Sequence, residues 1–151
     1  MDKAFLVEQL HARVRTRAEE ARRQAADAHL ESKTGAQRAV NLAKGTSQRF
    51  EAAVAAVDAI ESFRPHPLKR GERIGLGAIV EIEGEEGGGK TVFLAPAGAG
   101  EELTGPGGDG FFHVVTPVSP LGRAMLGKRV GDVIEVPRAD DISEWTITYA
   151  G

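Results

Sequence analysis

The stretch VSPLGRAMLGKRVGDVIEV, residues 118–136, carries more structural information than any other part of this chain. Ser119 followed by Pro120 is a strong helix start. A serine hydroxyl caps free backbone N–H groups, and proline in the first turn gives up only an N–H that has no helical partner. Leu121, Met125 and Leu126 then fall on one face of a short helix, which Gly127 ends. Gly131-Asp132 predicts a turn, and Val133 to Val136 alternates as a half-buried strand does. The stretch therefore reads as a helix-turn-strand packing element.

Working outward, residues 74–83, 90–94, 111–115 and 145–149 read as further strands separated by glycine-rich loops, giving five strands in all. Upstream the period changes. Residues 2–63 contain no proline, and apolar side chains recur every three or four positions. Val7, Leu10, Val14, Ala18, Ala21, Ala25 and Ala28 form one such stripe; Ala36, Ala39, Ala43, Phe50, Val54, Val57 and Ile60 form the other. Between them, Ser32, Thr34 and Gly35 are turn residues. The pattern predicts a helical hairpin, with helices over about residues 3–31 and 36–63, bulky at its root and lined with alanine near its turn. At 1.5 Å per residue an arm of that length reaches about 45 Å. No third helix of matching length exists to complete a bundle, so the hairpin is read as a free-standing antiparallel coiled coil. Pro65 and Pro67 then break the helix and open a linker.

Composition narrows the class. The chain has 151 residues, no cysteine, 19 basic and 22 acidic side chains and a net charge of −3. Divided after residue 63, it has 10 basic and 9 acidic residues before and 9 and 13 after, so neither part carries the positive field of a nucleic-acid binder. Without cysteine there is no disulfide, thiolate zinc site or thiol nucleophile. His11, His29, His66 and His113 lack the spacing of a metal site. No apolar run approaches the ~20 residues of a membrane span, and the charged N-terminus is unlike a signal peptide. A soluble, cytoplasmic protein is expected.

Gly84 to Thr91, GEEGGGKT, matches the phosphate-loop pattern G-x-x-x-x-G-K-[ST]. A phosphate loop opens a helix whose N-terminus faces the anion. Here the sequence after Lys90 is the β-branched and aromatic Thr-Val-Phe-Leu, and Glu85 and Glu86 would face a polyphosphate. The match is read as a loop between two strands. The second glycine-rich tract, residues 95–110, is likewise read as a surface loop.

Residues 119–132, SPLGRAMLGKRVGD, closely resemble the signature of the C-terminal domain of the GreA/GreB transcript-cleavage factors, Ser-Pro-(Ile/Leu)-(Ala/Gly)-Arg-x-(Leu/Met)-(Leu/Ile)-Gly-Lys-x-x-Gly-Asp. The resemblance implies an α+β chain with an antiparallel coiled coil over residues 1–63, a linker over 64–70 and a small FKBP-like antiparallel β domain with one short helix over 71–151. It also implies a monomeric bacterial factor that binds RNA polymerase, with the coiled coil in the secondary channel and the globular domain at the channel rim. On that pattern Ser119, Pro120 and Leu121 dock on the rim. Glu31, Ser32, Lys33, Thr34 and Gly35 form the tip in the channel. Nucleic acid is met only indirectly, as the transcript 3′ end inside the polymerase.

Cleavage-active members of the family carry an Asp-x-x-Glu pair at the tip, which helps hold a Mg²⁺ ion at the polymerase active site. Mg²⁺ is a hard cation that takes oxygen ligands, and two metals must flank the reacting phosphate. This chain departs from that pattern. Its nearest carboxylates are Asp27 and Glu31, four residues apart on one helix face, and Lys33 stands at the expected apex. The expectation is a non-enzymatic polymerase-binding factor with weak or no cleavage stimulation, no cofactor of its own, and no metal beyond Mg²⁺ shared with the polymerase. A cleavage-competent factor using Asp27 and Glu31 is the alternative. A peptidyl-prolyl isomerase is a more distant one, resting on shape alone.

Overall fold

The computed structural model describes residues 3–151. Helices α1 (Lys3–Ser32) and α2 (Gln37–Glu61) form the hairpin. Strands β1 (Ile79–Gly84), β2 (Gly89–Leu94), β3 (Glu102–Thr104), β4 (Phe111–Val115), β5 (Val133–Pro137) and β6 (Ile142–Ala150) form one sheet, and α3 (Pro120–Met125) lies between β4 and β5. Contact between His11, early in α1, and Glu61, the last residue of α2, fixes the helices as antiparallel.

The seam follows the expected stripe with two corrections. Ala36 is exposed, because it is the extended N-cap residue ahead of α2 rather than part of the helix. Val54 is 40% exposed, and Ala53 lies in the seam in its place, between Phe50 and Val57. Both positions are one helical turn from Phe50, so periodicity alone does not separate them. Thr46 is buried in the same seam, where its hydroxyl donates to the carbonyls of Leu42 and Ala43. A polar group so satisfied carries little burial penalty.

The sheet order is β3-β4-β2-β1-β6-β5. Two sequence-based expectations need correction here. The sheet is mixed rather than antiparallel, because β2 and β4 pair in parallel, with Val92 opposite His113 and Leu94 opposite Val115. It also has six strands rather than five. Parallel neighbours need a long crossover, and residues 95–110 supply it. That tract is therefore more than a loop: it contains β3 and a 3-10 turn at Pro106–Gly108, and β3 pairs antiparallel with β4 along the sheet edge. The β3 signal is weak in sequence because Leu103 alone buries fully among its three residues. The first strand also starts later than expected, at Ile79. Ile74 is buried outside it, its backbone exchanging hydrogen bonds with the segment after α3 through Gly127 and Lys128.

The two faces of the sheet bury different partners. Val80, Ile82, Val92, Leu94, Ile134 and Ile147 pack with Met125 of α3. On the other face Ile79, Phe93, Leu103, Phe112 and Val114 pack against Leu6, Leu10, Val14, Ile60 and Phe63. The hairpin root and the sheet thus share one core. Polar bonds reinforce it. The Gln9 side-chain amide both donates to the Thr104 carbonyl at 2.9 Å and accepts from its N–H at 3.0 Å, covering the β3 edge as a strand would. Glu101, 6% exposed, accepts from Arg17 and has Arg13 at 4.0 Å. Lys3 donates to the carbonyls of His66 and Gly151; burial pushes its pKa down, against an opposing pull from Glu72.

Candidate functional site

The first candidate region is the hairpin tip. Helix α1 ends at Ser32, and the chain reverses through N–H to C=O bonds from Lys33 to Leu30, Thr34 to Glu31 and Gly35 to Ser32. Gly35 sits at φ +80, where an L side chain would be strained, so a glycine is needed for the reversal. The Ser32 hydroxyl donates to the His29 carbonyl, and the Ala36 N–H reaches the Thr34 hydroxyl at 3.5 Å. Lys33, Thr34 and Gly35 are all exposed at the apex, and Asp27 and Glu31 are exposed on α1 behind it. Two carboxylates one helical turn apart, next to an ammonium, are a poor donor set for a resident divalent ion. Among the described residues no group of three or more His, Cys, Asp or Glu side chains converges as a metal site.

The second region surrounds α3. Ser119 caps this helix as expected: its hydroxyl accepts from the Gly122 and Thr116 N–H groups and donates to the Thr116 carbonyl at 2.8 Å. With its hydroxyl so engaged, Ser119 shapes the surface, while Pro120 stands exposed and Leu121 is half-buried against the core beneath α3. Met125 is fully buried, but Leu126, expected on the same face, is 36% exposed at the helix end. Gly122 has a specific steric reason. A Cβ there would overlap the Thr116 carbonyl oxygen.

Pro120 forms a ridge between two grooves. One, of 290 Å³, runs past Arg123 and Ala124 to Glu135 and Pro137. The other, of 350 Å³, is lined by Leu121, Val136 and Trp145 together with Lys90, His113 and Arg138. The Trp145 indole N–H donates to the Ser143 hydroxyl at 3.1 Å, which in turn donates to the Val136 carbonyl, and the Lys90 ammonium lies 5.7 Å from the ring centroid. This groove is absent from the sequence reading. Its members come from β2, β4, β5 and β6, from the start of α3, from the crossover at Ala99 and Gly100 and from Arg138 just after β5, and no local spacing joins them.

Gly84 to Thr91 turns out as a hairpin loop: β1 and β2 pair antiparallel through Glu83 and Gly89, and the Gly84 N–H closes on the Gly88 carbonyl. It continues into a strand rather than a helix, so no helix N-terminus is there to meet a phosphate. A further cavity of 430 Å³ lies at the hairpin root among Val7, Ile60, Phe63 and Pro65 beside the His11–Glu61 pair. Among the described residues no helix is long and apolar enough to cross a membrane.

No curated protein matches the chain. Among solved structures, GreA factor homolog 1 (Gfh1) of Thermus thermophilus is 26% identical, covering 96% of this chain and 92% of its own, with a TM-score of 0.40. A second structure of the transcription factor Gfh1 is 28% identical, covering 95% and 90%, with a TM-score of 0.44. Gfh1 of Thermus aquaticus is 24% identical, covering 92% of each chain, with a TM-score of 0.40. Residues 69–150, more than half of the chain, match the family model described as transcription elongation factor, GreA/GreB, C-terminal. That span holds the capped α3, the ridge at Pro120 and the sheet beneath them, and by it the chain belongs to the GreA/GreB family of transcription elongation factors.

Proposed function

We propose that this protein binds bacterial RNA polymerase, docks its sheet domain on the rim of the secondary channel through Pro120 and Leu121, and extends the α1–α2 hairpin into that channel. There it modulates elongation or initiation by occupying the channel, with weak or no stimulation of transcript cleavage. The observation that carries the last part is the apex itself. Residues 33–36 hold one ammonium and no carboxylate. Asp27 lies six residues before Lys33, about 9 Å along the helix by rise alone. A unit positive charge 4 Å from another is opposed by about 4 kcal/mol at an effective dielectric of 20, and a divalent ion by more. Family members that stimulate cleavage present two carboxylates at this place; here Lys33 disfavours the ion they would hold.

The reading also accounts for the shape of the hairpin. Alanines 21, 25, 28, 39 and 43 near the tip let the two helices approach closely, so the outer part is slender while the root is bulky. The test is a transcript-cleavage assay on stalled elongation complexes, with a cleavage-active Gre factor as reference. The expected result is no stimulation by this protein, and inhibition of the reference factor as its concentration rises. Mg²⁺-dependent stimulation that is lost in Asp27→Ala or Glu31→Ala would establish the cleavage-competent alternative instead.

A further inference from the structure

We infer that the 350 Å³ groove beside Pro120 receives an acidic segment of the polymerase, held between Lys90 and Arg138 with an apolar side chain seated against Leu121 and Trp145. The inference rests on the docking reading above and names the chemistry of the surface that docks. Its first support is charge. The chain as a whole is acidic, at −3, yet the lining of this groove contains Lys90, His113 and Arg138 and no carboxylate. Neither Lys90 nor Arg138 is in any ion pair among the described residues. Two cations held in no ion pair over an apolar floor form a surface complementary to an anionic, partly apolar partner.

The second support is that the groove is already built. Trp145 is fixed from one side by the Ser143 hydroxyl and packs against Gly84, and Lys90 lies over its ring. Binding therefore orders few side chains, which is where preformed sites gain affinity. The third support is continuity: Ser119, Pro120 and Leu121 line this groove, so one partner segment crosses ridge and groove together.

The far flank sets a direction. Arg138 also borders a neighbouring groove lined by Glu85, Glu86, Asp141 and Glu144. An acidic segment is repelled there and is confined to the Lys90 side, which gives the contact a register as well as an attraction.

The experiment is a salt titration of binding to purified core RNA polymerase, using the full chain, the double variant Lys90→Glu/Arg138→Glu, and a control, Lys69→Glu/Arg70→Glu, that makes the same charge change in the exposed linker. Thermal melts establish that each is folded. The groove variant is expected to bind at least tenfold more weakly than the control in low salt, with the gap narrowing as salt rises. Equal affinity of a folded groove variant and the control overturns the inference and leaves rim docking standing. Absence of polymerase binding by the unmodified protein overturns both. Unchanged polymerase affinity together with lost binding to a single-stranded RNA oligonucleotide overturns it in favour of a nucleic-acid site.

Discussion

The two ends of the hairpin are built from the same helices and are held in opposite ways. At the root, Leu6 and Leu10 are fully buried in the sheet core, Gln9 pairs with β3, and Arg17 and Lys3 bond to Glu101, His66 and Gly151. At the tip, residues 29–36 hydrogen-bond only within the hairpin, as where the Val40 N–H donates to the Ala36 carbonyl, and Leu30 is 61% exposed. The root sets where the hairpin points; the tip is free to present whatever its surroundings require. A side chain at the root is therefore constrained by packing, and one at the tip by its partner. This is why Lys33 can be read as functional when Lys3, of the same residue type, is a structural clamp.

The comparison is broken most directly by truncating one leucine at each end. Leu10→Ala removes a fully buried side chain that packs between helix, strand and the Gly98 backbone, and a loss of about 3 kcal/mol is expected. Leu30→Ala is expected to stay within about 0.5 kcal/mol. Urea unfolding of the two variants settles it, and similar losses would show that the tip is packed as tightly as the root.

Glycine-to-alanine exchange sharpens the same contrast by reversing sign. At Gly122 the added methyl meets the Thr116 carbonyl, and a loss of about 2 kcal/mol is expected from overpacking. At Gly45, on the outer part of α2, nothing lies within 4 Å of the new methyl, and a gain of about 0.5–1 kcal/mol is expected from helix propensity. A stabilised Gly122→Ala would remove the steric account of the α3 start.

The smallest effect concerns pH and lies away from both ends of the hairpin, at a cluster of carboxylates on the sheet domain. Glu85 raises the pKa of Glu144 by sharing a hydrogen bond and by charge repulsion, with Glu135 adding to it. A carboxyl whose pKa is higher folded than unfolded adds most to stability at low pH and loses that contribution as pH rises through the folded value. Glu144→Gln should therefore melt slightly higher than the unmodified protein at pH 7, with the difference vanishing toward pH 4. A lower melting temperature at pH 7 would mean that the carboxylate has a favourable partner there.

Local chemistry wrote much of this protein directly into its sequence. The hairpin, its turn at Gly35, the alanine-lined outer seam, the Ser119–Pro120 helix start and the strand character of residues 90–94 and 111–115 all follow from short-range periodicity, capping and turn propensity, which act within a few residues. The hairpin nature of the glycine-rich loop at residues 84–91 was legible for the same reason. Long-range packing decided the rest. Whether Ala53 or Val54 entered the seam depended on the facing helix, and the parallel pairing of β2 with β4 depended on where the crossover returned. The shared core of hairpin root and sheet joins residues near position 6 to residues beyond position 100. The cationic groove draws Lys90, Arg138 and Trp145 from separate elements, so their common charge and shape exist only once the sheet has closed.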